Sequence, residues 1–165
     1  MAKLSKDKQK AVQDAQSSFL PLPDCVIHGR LRDVDTTREG PKGPYWSWEF
    51  ECVTDQEFTV EGPDGKAVKV KTKGRRFWNN TSLSEEAAFS LERTFRAFEV
   101  PIDTDTDELL GRVVKLVIGQ RTIGQGDRMG EVVNEIKNLK PADPDVKAEE
   151  EKELSDRKHI DEIFS

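Results

Sequence analysis

Residues 45–53 read Tyr-Trp-Ser-Trp-Glu-Phe-Glu-Cys-Val, and so regular an alternation of apolar and polar side chains predicts a β-strand. Trp46, Trp48, Phe50 and Cys52 share one face. Tyr45, Ser47, Glu49 and Glu51 share the other. Successive side chains of a strand point to opposite faces, so one face of this segment is an aromatic wall. The rest of the chain must supply neighbouring strands and something to cover that wall.

The flanking sequence supplies both. Cys25 to Val34 reads as a strand, with Cys25, Ile27, Gly29 and Leu31 on one side and His28, Arg30 and Arg32 on the other. Residues 35–44, rich in Gly and Pro, read as a loop. Phe58–Val60 and Ala67–Lys73 flank the turn Gly62-Pro63-Asp64-Gly65 and form a hairpin, with Lys69, Lys71 and Lys73 outward. Arg75 to Trp78 extends it past Gly74 through a bulge. Ser82 and Glu85 have the spacing of a capping box, and Leu83, Ala87, Ala88, Leu91, Phe95 and Phe98 recur at helical spacing until Pro101. Asp107–Leu110 is one capped turn closed by Gly111. Arg112–Ile118 and Glu131–Ile136 are two further strands, joined by a loop holding Gly124, Gly126 and Gly130.

Three strand regions, a helix, then two strands is the order of an OB-fold, a five-stranded barrel with its helix between the third and fourth strands. The expected class is therefore mainly β. The OB barrel is assigned to residues 23–140. A flexible or short helical segment precedes it over 1–22, and an acidic, disordered tail follows over 141–165.

Charge is unevenly placed. The net charge of −6 is almost all tail: residues 141–165 hold nine acids and four bases, the rest 23 acids and 22 bases. A nearly neutral body still binds nucleic acid when its bases cluster on one face. No apolar run approaches the roughly 20 residues of a membrane span, and the lysine-rich N-terminus lacks the apolar core of a signal peptide. Cys25 and Cys52 stand outside any CxxC pair and read as buried, reduced thiols of a cytoplasmic protein.

Most site chemistry is excluded. Asp103, Asp105 and Asp107 are spaced like the start of a calcium loop, but Glu108 and Val114 stand where that loop needs Gly and Glu. Gly124, Gly126 and Gly130 have the wrong spacing for a dinucleotide fingerprint. His28 and His159 lack partners at metal spacing. No metal, no cofactor and no catalytic residue is expected, and the chain reads as a non-enzyme.

The pattern that remains is aromatic rings interleaved with cations, which suits single-stranded nucleic acid: phosphates need charge, and unstacked bases need a flat platform. Tyr45, Trp46 and Trp78 are the candidate stacking residues. Trp48 and Phe50 read as core, and Trp78 either stacks a base or plugs the barrel bottom. Lys69, Lys71, Lys73, Arg75, Arg76, Arg30 and Arg32 are the candidate phosphate contacts, with Arg121 and Arg128 closing over the strand from the last hairpin. Glu49 and Glu51 oppose phosphate on that face unless lysines pair with them across the strands. The tail ends in Asp161-Glu162-Ile163-Phe164-Ser165, an acidic-apolar tip suited to docking a partner and to competing for the basic groove.

Tyr45-Trp-Ser-Trp-Glu-Phe, Phe77-Trp78-Asn-Asn-Thr-Ser-Leu83-Ser, the Leu109-Leu110-Gly111 turn and the glycine-containing last hairpin together resemble a family of tailed-phage proteins, long known as a domain of unknown function. The resemblance covers roughly residues 25–138. It implies an OB-fold that binds single-stranded DNA without sequence preference during phage replication or recombination, in the host cytoplasm. The tail is similar in design to those of bacterial single-strand-binding proteins, which recruit replication and repair enzymes. The final Ser165 departs from their pattern, in which Phe is last. The partners implied are single-stranded DNA and, through the tail, replication or recombination proteins. No membrane partner is expected, and homo-oligomerisation is left open. The competing readings are an OB-fold protein-interaction module whose tail mimics nucleic acid, and a small metal-dependent nuclease.

Overall fold

In the computed structural model, which describes residues 5–6 and 20–147, the alternating segment is strand β2 (Gly43–Cys52). It belongs to a five-stranded antiparallel sheet with β1 (Cys25–Gly40), β5 (Arg76–Ser82), β6 (Val113–Thr122) and β7 (Val132–Pro141), in the order β5-β2-β1-β6-β7. Strands β3 (Glu57–Glu61) and β4 (Ala67–Lys71) form a separate two-stranded sheet. Helix α1 (Ala88–Ala97) lies between β5 and β6, after a 3-10 turn at Glu85–Ala87. The architecture is mainly β, with few helical residues.

The inner face is what the alternation predicts. Trp48 and Phe50 are fully buried and Cys52 is 2% exposed, together with Ile27 and Leu31 of β1, Phe77 of β5 and Leu116 of β6. The Trp48 indole N–H donates to Thr81 Oγ1 at 2.9 Å, so burying its polar edge leaves nothing unsatisfied. Helix α1 and its C-cap Phe98 cover the wall. Phe95 meets Trp48 edge-on at 5.7 Å, and Phe98 stacks on Trp48 at 6.1 Å and on Phe50 at 6.3 Å. Each such ring contributes roughly 1.5–3 kcal/mol through burial. Gly29 is required where β1 crosses β2 and β6: a Cβ there would sit 2.5 Å from Leu116 and 3.2 Å from Phe50.

Several expectations are corrected. Residues 35–40 are strand, not loop. Two bulges in β1 absorb the irregular sequence, and Gly40 pairs with Gly43 around a two-residue turn whose exit needs the positive φ of +104° at Gly43. Ser82 ends β5 rather than capping a helix; its hydroxyl accepts from the Ser84 amide at 3.2 Å, and the 3-10 turn begins after Ser84. The basic run 69–76 does not lie along one strand, because Gly74 (φ +86°) turns the chain between the hairpin and β5.

The fourth correction concerns closure: the sheet is not a closed barrel. Strands β5 and β7 are its two edges, and no backbone pairing joins them among the described residues. Following the antiparallel pairs through the sheet, these edges run in the same direction, so closure would need a parallel ladder, slightly less stable per residue than the antiparallel pairs elsewhere. Helix α1 packs against both strands instead. Leu22, fully buried, is tied to β7 by a reciprocal pair: its N–H donates to Asn134 Oδ1 at 2.7 Å and its carbonyl accepts from Asn134 Nδ2 at 2.8 Å. Among the described residues, Leu22 already belongs to the core, and Leu20 packs against it, before β1 begins. The expected N-terminal helix falls almost entirely outside the described residues.

Beyond Pro141 the chain stays on the body through Lys147. Asp143 pairs with Lys115 at 2.5 Å, its amide donates to His28 Nε2 at 3.2 Å, and Lys147 pairs with Glu99. His28, expected to face outward with Arg30 and Arg32, is buried beneath this segment, because Asp143 covers that end of β1. Among the described residues, no helix is long and apolar enough to cross a membrane.

Candidate nucleic-acid interface

The failure of β5 and β7 to pair leaves a cleft of about 870 Å³ between them. Its β5 wall is Arg75 to Asn80. Its β7 wall is Glu131 to Ile136, with Arg121 from β6, Arg128 from the β6–β7 loop and Pro21 from the entry segment. Alternation along β5 decides what each wall residue does. Phe77 and Asn79 turn into the core, where Asn79 Nδ2 donates to Thr94 Oγ1 at 3.4 Å. Arg76, Trp78 and Asn80 are therefore delivered to the outside.

Trp78 is 56% exposed, and across the cleft Val132 is 42% exposed. Large apolar groups left in water beside cations form an amphipathic trough. Four arginines line it. Arg76 donates to Glu49 at 3.1 Å, Arg121 lies 3.3 Å from Glu135, and Arg128 donates to Glu131 at 2.7 Å. Surface pairs of this kind are worth about 0–1 kcal/mol each, so a phosphate can displace the carboxylates at small cost. Burial pushes the Arg75 guanidinium below its ordinary range, and its Nη1 is enclosed without a hydrogen-bond partner.

Of the sequence-predicted residues, the cleft brings together Trp78, Arg75, Arg76, Arg121 and Arg128. The others lie elsewhere. Trp46 is half-buried on the core, its ring 6.2 Å from that of Trp48. Tyr45 is half-buried far along the β1–β2 arm, paired with Arg38 in the strand register. There Asp35 is held down to about 2, first by the Thr37 hydroxyl and amide and then by Arg38, which donates to it at 2.8 Å. Arg32 donates to Glu51 at 2.5 Å, and Arg30 sits opposite Glu51 in the β1–β2 register. Glu49 and Glu51 are thus neutralised by arginines rather than lysines. Lys69, Lys71 and Lys73 belong to the β3–β4 hairpin and its exit, outside the cleft lining. Asp161, Glu162, Ile163 and Phe164 lie outside the described residues.

Sequence reasoning missed Asn80, Val132 and Asn134. The first was legible, since it lies two residues after Trp78 and so on the same face. The β7 residues were not, because nothing in the sequence says that β5 and β7 stay apart. Among the described residues, no group of His, Cys, Asp and Glu is placed to hold a metal ion. A comparison with known protein families finds none that matches the chain, and a comparison with curated proteins finds no match either.

Proposed function

We propose that this protein binds single-stranded nucleic acid without sequence preference, in the cleft between β5 and β7. The observation that carries this reading is the convergence of Trp78 with four arginines along two unpaired sheet edges. A base stacked on Trp78 contributes roughly 1–3 kcal/mol whatever its identity. The arginines hold the backbone and make the affinity fall with salt. Strand order and helix position support reading the sheet as an OB-fold left open at its closing pair. The resemblance to tailed-phage proteins supports a non-enzymatic role on single-stranded DNA in phage replication or recombination, within the host cytoplasm. The acidic tail then recruits partner proteins and competes for the cleft.

Intrinsic tryptophan fluorescence of the full chain, titrated with oligothymidine at low and high salt beside duplex DNA, tests this. Quenching by the single strand alone, weaker in high salt, supports it. No response to any nucleic acid rejects it. A second reading, a protein-interaction module, draws on another surface: Phe89 of α1 is 73% exposed and Ile102 56%, and both line an apolar groove beside Pro141. Loss of the nucleic-acid response would put that groove first.

A further inference from the structure

The four arginines of the cleft are not equivalent. Arg76, Arg121 and Arg128 each face a glutamate within 3.3 Å. Arg75 faces no carboxylate within ion-pair distance among the described residues, and its Nη1 is buried with no hydrogen-bond partner. Its electrostatic neighbours are the thiols of Cys25 and Cys52, both pushed up by burial and therefore neutral near pH 7. The fold encloses one nitrogen of a half-buried guanidinium and, among the described residues, supplies no anion for it. An arrangement of this kind weakens a protein, because a partly buried charge without a counter-ion costs more than an apolar side chain in its place.

We infer that Arg75 is the anion receptor of the cleft, a fixed subsite for one backbone phosphodiester of the bound strand. This rests on the nucleic-acid reading above and sharpens it. The other arginines must exchange a glutamate for phosphate, so their net gain is small. Arg75 exchanges nothing. Its fork suits two phosphate oxygens at once, which a lysine ammonium cannot match. Trp78, three residues further along the same wall, is placed to take a base next to that phosphate.

The experiment measures oligothymidine affinity against salt for the full-length chain, Arg75→Met, Arg75→Lys and Arg128→Met, with thermal melting of each without DNA. Arg75→Met is expected to bind roughly tenfold more weakly. The slope of log affinity on log salt should shrink by about 0.7, one phosphate contact. The same variant should melt at or above the wild-type temperature, because it removes a half-buried charge that has no counter-ion among the described residues. Arg75→Lys should keep most of the slope but not the affinity, and Arg128→Met should lose much less affinity than Arg75→Met. A residue of merely structural importance would lower melting and leave the slope alone. Wild-type affinity and slope in a folded Arg75→Met protein overturn the inference while leaving the nucleic-acid reading intact. A wild-type chain that binds no oligonucleotide overturns both. Should Arg75→Met not fold, the arginine Nε resonances of the wild type decide. A shift at Arg75 on adding oligothymidine supports the subsite, and an unmoved Arg75 while Arg76 or Arg128 shifts overturns it.

Discussion

In the β3–β4 hairpin, Lys69 and Lys71 stand on the face turned from the core, while Val70 on the other face is fully buried. The Lys69 side chain is 75% exposed and, among the described residues, pairs with Glu57 at 3.7 Å. In the β5–β7 cleft, cations of similar number are set in a concave wall, beside a half-exposed indole, and one of them, Arg75, is half-buried with one nitrogen enclosed. Both regions are basic in sequence. On the exposed face of the hairpin each ammonium keeps its hydration, and a passing phosphate gains little from it. In the cleft, guanidinium groups from β5 and its entry, from β6 and from the β6–β7 loop converge beside an aromatic surface held by β5. Charge alone does not make a site; the frame that partly desolvates it does.

The sharpest break of this comparison lies within two tryptophans thirty residues apart. Trp48→Ala removes a fully buried ring and leaves Thr81 without its donor. It is expected to destabilise the fold by about 3–5 kcal/mol, read by urea unfolding. Trp78→Ala should leave stability within about 0.5 kcal/mol of wild type. It should cost about 1–3 kcal/mol of oligothymidine affinity, read by fluorescence anisotropy of a labelled oligonucleotide. If Trp78→Ala unfolds the protein as Trp48→Ala does, its ring belongs to the core and the cleft has no platform.

The same two residues show how far the sequence could be read. Alternation assigned Trp48 to the core correctly, because burial of one strand face depends only on the pattern of that strand. It left Trp78 open between core and surface, because the answer depends on whether a neighbouring strand covers it. That neighbour is β7, and the missing β5–β7 ladder is a tertiary outcome, shaped by Leu22 seated on Asn134 and by α1 packed across both edges. The hairpin turn Gly62–Gly65 was legible for a local reason, its turn residues. The helix start was misplaced by six residues, since Ser82 pairs with Tyr45 at the end of β5 and tertiary pairing outweighed a local cap. A mainly β chain with one helix before its last two strands was legible, whereas the split of the third strand region into a separate β3–β4 sheet and the edge strand β5 was not. The sequence placed Arg121 and Arg128 over Trp78 and Arg75, but the unpaired edges that frame this trough are a tertiary outcome.

Charge removal on the two regions gives a smaller effect and a direct contrast. Lys69→Ala with Lys71→Ala should change oligothymidine affinity by less than about twofold at physiological salt, where exposed charges more than about 8 Å from a ligand are screened. Arg76→Ala with Arg128→Ala removes two lining cations and should lower the salt slope by about 1.4. Equal losses from both pairs, measured by anisotropy across a salt series, would mean that the bound strand runs over the hairpin as well, and the distinction between frame and solvated face would fail.

The smallest expected effect separates the two regions by pH. His28 lies at the hairpin end of the molecule. Its amide donates to Thr54 Oγ1 at 2.8 Å and its carbonyl accepts from Val53, fixing the chain that leads from β2 to β3. Its Nε2 accepts from the Asp143 amide, which only the neutral imidazole can do. Burial lowers its pKa below the ordinary 6.5, with Asp143 opposing and Lys115 adding to the shift. A histidine whose folded pKa is depressed contributes stability that is fully present above the unfolded value and is lost as pH falls through the folded one. Taking the protein from about pH 7.5 to about pH 5.5 should therefore lower its melting temperature more than that of His28→Gln, which keeps an acceptor and does not titrate. Amide exchange at Val53 and Asp143 should quicken on acidification, while that along β5 from Arg76 to Asn80 stays constant. Equal quickening in β5 would show that hairpin and cleft open as one unit, and the two regions could no longer be treated as independent.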